Sequence, residues 1–194
     1  MSELVSGSAP ARSDARRNQQ ALLDAAAAVF VRAGVDAPVR AIAAEAGVGM
    51  GTVYRHFPTR ADLVAAVYRH QVQECAQAGP RLLAELKSPR RALMAWIDLF
   101  VDFLVTKHGL AGALQSDRST FEGLHQHFLT TLVPVGEELL DAARRAGELA
   151  ADLDAYALMR GVGNLCAGDP DDVRYSPRQL VGILLAGLFV VDGT

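Results

Sequence analysis

Arg40, Thr52, Tyr54, Arg55 and His56 crowd into residues 38–57 of the chain. Two guanidinium groups, a hydroxyl, a phenol and an imidazole can all donate hydrogen bonds to phosphate oxygens or base edges. No acid stands among the outward positions of 50–57, and Gly51 lets backbone approach a duplex closely. The chemistry on offer is non-covalent recognition of nucleic acid. Catalytic chemistry has no comparable set. His125 and His127 lie two apart, so on a helix their rings point to different faces and chelate poorly. His108 has no acid near it in sequence to build a triad, and there is no glycine-rich phosphate loop. An enzyme, a cofactor and a metal site are therefore not expected.

The elements that position these groups are short helices around a tight turn. Val39, Ile42, Ala43 and Ala46 recur at i, i+3, i+4 and i+7, a one-sided apolar stripe. Gly47 supplies the positive φ that ends a helix, and Val48 can plug the angle that follows. Val53 and Phe57, four apart, turn the second helix inward and leave Met50, Gly51, Thr52, Tyr54, Arg55 and His56 facing out. Helix, glycine turn and helix at this spacing form a helix-turn-helix. A plain helical hairpin with polar surface has the same outline. The run Thr52-Val53-Tyr54-Arg55-His56-Phe57 is what sets this one apart. Upstream, residues 15–33 read as a helix with Leu22, Ala26, Val29, Phe30 and Ala33 inward and Gly34 as terminator.

Ile42-Ala-x-x-Ala46-Gly47-Val48, then Gly51-Thr-Val-Tyr-Arg-His-Phe57 and Arg60-Ala-Asp-Leu63, resembles the DNA-binding domain of TetR-type transcriptional regulators over residues 15–73. The resemblance implies an all-α subunit: three N-terminal helices that read DNA, a linking fourth helix, and a larger C-terminal helical domain for ligand binding and dimerisation. It places Arg40 near a phosphate or base edge and positions 50, 51 and 55 against bases. It places Thr52, Tyr54 and His56 on phosphates, with Arg60 completing the backbone contacts. Three departures stand out. Ala37-Pro38 replaces a Thr-Thr pair, removing a hydroxyl cap worth roughly 1 kcal/mol that Asp36 could replace. Gly49-Met50 replaces a serine and a cation, so Met50 makes no polar base contact. Arg60 replaces a lysine and still suits phosphate.

Charge distribution agrees with a DNA-reading head on a different body. The chain has 194 residues and a net charge of −3, yet residues 11–60 carry seven arginines and four acids, leaving −6 for the remainder. The domain expectation is a disordered arm over 1–14, a DNA-binding domain over 15–60, and a linking helix with the regulatory and dimerisation domain over 61–194. Arg12, Arg16 and Arg17 either lend phosphate contacts or belong to a solvated tail. No run of about 18 uncharged apolar residues marks a membrane span, and no basic-then-apolar opening marks a secretory signal. Cys75 and Cys166 are far apart and form no metal or redox spacing. A cytoplasmic setting is expected, with Cys166 a core thiol rather than a sensor.

Beyond residue 60 only helical patterning is found. A helix should start near Thr59 or Arg60 and end near Gly79-Pro80, with more helix over 81–87. Ser88-Pro89 opens another, to about Lys107, apolar on nearly every face apart from Asp98 and Asp102. That pair reads either as solvated or as a cation site. Short turns at 110–114, a polar loop at 115–120 and a long helix over 121–146 with Pro134 inside it follow. Asp152 should open a helix to Ala167, and Ser176-Pro177 one to Val191, with a loop over 168–172 between them.

Leu158 and Leu165 on one of these last helices and Leu180, Leu184 and Leu188 on the other form apolar stripes with small residues between. They read either as a homodimer interface or as core within one chain. The resemblance favours a homodimer, which should read a palindromic site. Trp96, Phe100 and Phe103 on one helix, Phe121, His125 and Phe128 on another, and Met159 form a candidate pocket for an apolar or aromatic effector. Taken one at a time, each also reads as core. The stretch from Trp96 through Phe100-Val-Asp-Phe103 and Lys107-x-Gly109-Leu110 is similar to an SbtR-like C-terminal subgroup of the same regulators. The resulting expectation is a repressor of double-stranded DNA released by a small molecule. A constitutive DNA-binding dimer and a ligand-dependent activator are the alternatives.

Overall fold

The computed structural model describes residues 9–114, 118–167 and 174–190, with side chains left out at 9–16, 105–114 and 118–121. Within them the chain is all helical: α1 (Ala9–Ala33), α2 (Val39–Glu45), α3 (Met50–His56), α4 (Arg60–Leu86), α5 (Pro89–Leu114), α6 (Arg118–Arg145), α7 (Ala155–Leu165) and α8 (Pro177–Leu188). The one departure from helix ladders among the described residues is an isolated antiparallel bridge between Leu149 and Phe189. No helix among them is long and apolar enough to cross a membrane.

The starts and stops follow side-chain chemistry. Thr59 and Asp62 form a reciprocal capping box, each side chain accepting the other's backbone N–H at 3.1 Å. Ser88 Oγ accepts from Arg91 N and Ser176 Oγ from Gln179 N, as expected of Ser-Pro openings. Asp154, not Asp152, caps α7: its Oδ1 accepts from Ala157 N at 2.7 Å, whereas Asp152 reaches out to Arg144. Pro38 caps α2 without a side-chain bond, so Asp36 does not replace the missing hydroxyl.

Several boundaries differ from the sequence pattern. α1 already runs from Ala9, inside the segment expected to be an arm, and residues 1–8 lie outside the described ones. α4 passes unbroken through Gly79-Pro80, because burial of Ala78 and Gly79 against α5 and α6 outweighs one missing backbone bond. It stops at Lys87, in the left-handed region at φ 50°. α5 continues to Leu114, and α6 begins at Arg118 within the expected polar loop, of which 115–117 are outside the described residues. The 168–172 loop also lies outside them. α8 stops at Leu188 because Phe189 turns extended to pair with Leu149.

α4 is the shared spine. It packs on α1 in the N-terminal head and on α5 and α6 in the body. The core runs continuously along it, from Leu22, Phe30 and Ile42 in the head to Trp96, Leu132 and Leu139 in the body. The close approaches of α4 to α6 and of α6 to α7 depend on small residues. A Cβ on Gly79 would collide with a methyl of Val135, and one on Gly136 would sit 2.9 Å from Ala155 Cβ.

Candidate DNA-binding surface and effector cleft

α2, the Gly47 turn and α3 make one compact unit. Ile42 and Ala43 bury the inner face of α2. Gly47, at φ 66°, breaks the helix, and Val48 N then reaches back to Ala43 O at 2.9 Å. On α3, Val53 and Phe57 are buried, and Phe57 N closes the last turn on Val53 O at 2.8 Å. This inner seat leaves Met50, Gly51, Tyr54, Arg55 and His56 exposed and Thr52 half-buried. Tyr54 is 51 % and Met50 53 % exposed, so both project from the surface of the motif. No acid stands on α3, and the two groups at its C-terminal end, Arg55 and His56, are basic.

Arg40 is exposed on α2 beside this row. Glu45, at the end of α2, is paired with Arg32 of α1 at 2.7 Å. Arg60 sits differently. Its Nη2 donates to Ala37 O at 2.7 Å and its guanidinium lies 5.5 Å from the centre of the Phe30 ring. The resemblance implied a DNA backbone contact for Arg60; the structure shows it as a clamp between α4 and the loop before α2.

In the body, Trp96, Phe100, Phe103 and Phe128 come together as a closed stack. Centroids lie 5.9 Å apart for Trp96–Phe100 and for Phe100–Phe128, and 5.7 Å for Phe103–Phe128. Trp96 Nε1 donates to Cys75 O at 2.9 Å, and Met159 Sδ faces Gly136 beside the indole. His125 stacks on Phe128 from the exposed side. The side chain of Phe121 lies outside the described residues. Tyr68, which sequence reasoning passed over, packs edge-on against Phe103 at 5.4 Å.

A cleft of about 670 Å³ lies on the other side of this stack, between α1, α4, α5 and the start of α8. α1 contributes Asp24, Ala27, Ala28 and Val31, and α5 contributes Leu99, Asp102 and Phe103. The floor is one stripe of α4: His70, Gln71, Glu74, Cys75, Ala78 and Arg81. Among the described residues of the predicted aromatic pocket, Phe103 alone lines it. His70 Nε2 meets Asp24 Oδ1 at 2.7 Å across the α1–α4 wall, and Arg178 of α8 pairs with Asp102. Burial pushes the Cys75 thiol up to about 12 and raises Cys166 and the Tyr68 phenol as well. The cleft went unseen in the sequence, although α1 residues 24, 27, 28 and 31 do recur at helical spacing.

The predicted interface residues divide. Leu158 and Leu188 are 2 % and 4 % exposed and belong to the chain's own core. Leu165 and Leu180 are half-buried, and Leu184 is 37 % exposed. Ile183, at 63 %, and Tyr156, at 49 %, join it on the outer faces of α8 and α7.

Residues 22–67 match the profile of bacterial regulatory proteins of the tetR family. Residues 88–190 match that of the transcriptional regulator SbtR-like C-terminal domain. Among solved structures, a TetR transcriptional regulator of Streptomyces coelicolor is 36 % identical, with a TM-score of 0.72 over 89 % of this chain and 98 % of that one. A TetR regulatory protein of Mycobacterium vanbaalenii is 34 % identical, with a TM-score of 0.69 over 93 % and 100 %. An HTH-type transcriptional regulator of Staphylococcus aureus (strain USA300) is 26 % identical over 106 residues, 54 % of this chain. The matched stretch spans 57 % of that curated relative's length.

Proposed function

The chain belongs to the tetR family of bacterial regulatory proteins, with an SbtR-like C-terminal domain, and from that premise we propose that it is a homodimeric repressor. It holds a palindromic operator through α3 and lets go when a small molecule binds its helical body. The observation that carries this reading is the α3 row. Large and polar side chains stand exposed above a seat of Val53 and Phe57, with no acid among them. Arg55, Met50 and Gly51 would face base edges. Thr52, Tyr54, His56 and Arg40 would hold phosphates, with Arg60 bracing the motif. Ile183 and Leu184 on α8 and Tyr156 on α7 offer the apolar face for a second copy.

A constitutive DNA-binding dimer is the second reading, favoured by the close stacking of the aromatic cluster. The test is selection of random duplexes by the purified full chain, with sedimentation of the complex. Two inverted half-sites about one helical turn apart, bound by two chains, are expected. A non-palindromic consensus bound by one chain would overturn the dimeric reading.

A further inference from the structure

The cleft between α1, α4, α5 and α8 has an uneven charge balance. Three carboxylates line it, Asp24, Glu74 and Asp102, against the two guanidinium groups of Arg81 and Arg178 and the His70 imidazole. Asp24 is occupied by His70 and Asp102 by Arg178, while Arg81 turns to Glu85 on its own helix at 4.0 Å. Glu74 has no ion-pair or hydrogen-bond partner among the described residues. One turn away on the same floor, Gln71 Oε1 is shielded from solvent and also lacks a partner among them. A shielded carbonyl oxygen without a donor is costly and therefore uncommon. Both groups are acceptors: Glu74 an exposed, unpaired carboxylate and Gln71 Oε1 a shielded oxygen without a donor. The walls around them are apolar, from Ala27, Ala28 and Val31 on one side to Leu99 and Phe103 on the other. Val31 and Leu99 are 59 % and 39 % exposed, large side chains left open on opposite walls.

We propose that this cleft binds a small amphipathic organic cation, its ammonium group against Glu74 and Gln71 and its apolar body between α1 and α5. The volume lies in the range of small-molecule sites, and a few polar groups among apolar walls fix a ligand's orientation. The inference rests on the effector reading above and gives that effector a place and a chemical class. The place also supplies coupling. α1 belongs to the DNA-binding head and α5 and α8 to the body, so a ligand wedged between them sets how the head sits on the body.

The test uses octylammonium, octanol and octanoate, which share one tail and differ in the head, titrated calorimetrically into the full chain. Octylammonium should bind about tenfold tighter than octanol, the scale of one charge-assisted hydrogen bond, with octanoate weakest. Glu74→Gln, at an exposed position, should bring octylammonium to within about twofold of octanol. Ala28→Phe should fill the cleft and abolish binding of all three, while thermal unfolding stays unchanged. Equal or tighter binding of octanoate, no octylammonium binding, or an unchanged affinity in Glu74→Gln overturns the proposal. Release of the selected duplex separates the two readings. Glu74-dependent binding that leaves the duplex in place keeps the cleft and removes the effector reading. Release that persists undiminished in Glu74→Gln keeps the effector reading and removes the cleft.

Discussion

Tyr54 and Arg55 are neighbours on α3, yet a duplex would ask different work of each. A phenol on a phosphate oxygen positions the protein without reading sequence, whereas a guanidinium on a base edge discriminates. Tyr54→Phe should therefore weaken all duplexes alike. Arg55→Ala should cost about 1–3 kcal/mol on the selected operator and relax one position per half-site. Anisotropy titrations at fixed salt check both, and unchanged affinity in both variants would remove α3 as the reading helix. Buried acids make a second prediction. Cys75 has an ordinary thiol value of 9.0 and is raised to about 12, and Tyr68 is raised too, both by desolvation. A raised folded value means stability is intact below the unfolded value and is lost as pH climbs toward the folded one. The urea midpoint should hold steady near neutrality and fall from about pH 9 upward. Cys75→Ala should remove part of that slope, and an unchanged slope would show that the thiol ionises freely in the folded protein.

Among the helices, α4 carries the most consequence. Its 27 residues span about 40 Å, long enough to serve both the head and the body. Its register against α6 rests on Gly79, where an added methyl meets Val135. Gly79→Ala should cost about 1–3 kcal/mol through overpacking, despite the better helix propensity of alanine. Gly123→Ala, in open space on α6, should be neutral or stabilising by up to ~1 kcal/mol. Chemical denaturation of the pair separates packing from propensity, and equal effects would show that the α4–α6 contact is loose. The same helix explains why Pro80 does no visible damage. Ala78 and Gly79 before it are buried against the neighbouring helices, and that packing holds the turn closed.

For the whole molecule, the proposed dimeric recognition would depend on the distance between two copies of α3. A dimer must present them about 34–36 Å apart to meet successive major grooves. Ile183→Asp with Leu184→Asp would place charges on the outer face of α8 without disturbing the core, since both side chains already lie outside it. The variant should remain helical, sediment as a monomer and lose operator affinity; a dimer that still binds would put the interface on another surface. If an effector in the body releases DNA, linkage requires that DNA weaken effector binding by the same factor, typically 5–150-fold. Effector titrations with and without duplex should return one number for both directions.

The helix-turn-helix was legible in the sequence because everything that makes it is local. The stripe of Val39, Ile42, Ala43 and Ala46, the Gly47 break and the Val53–Phe57 anchor act within a few turns of chain, and the capping pairs at Ser88-Pro89 and Ser176-Pro177 act within one. What lies between distant helices was not legible. α5 is apolar on nearly every face, so its pattern carries no direction, and only packing decided that Phe100 closes a stack while Phe103 also walls a cleft. Asp102 read as solvent-facing or as half of a cation site, and it pairs with Arg178, 76 residues later. Leu184 and Leu188 sit one turn apart on the same stripe, yet one is exposed and the other buried. Periodicity tells which residues share a face; the third dimension tells what that face meets.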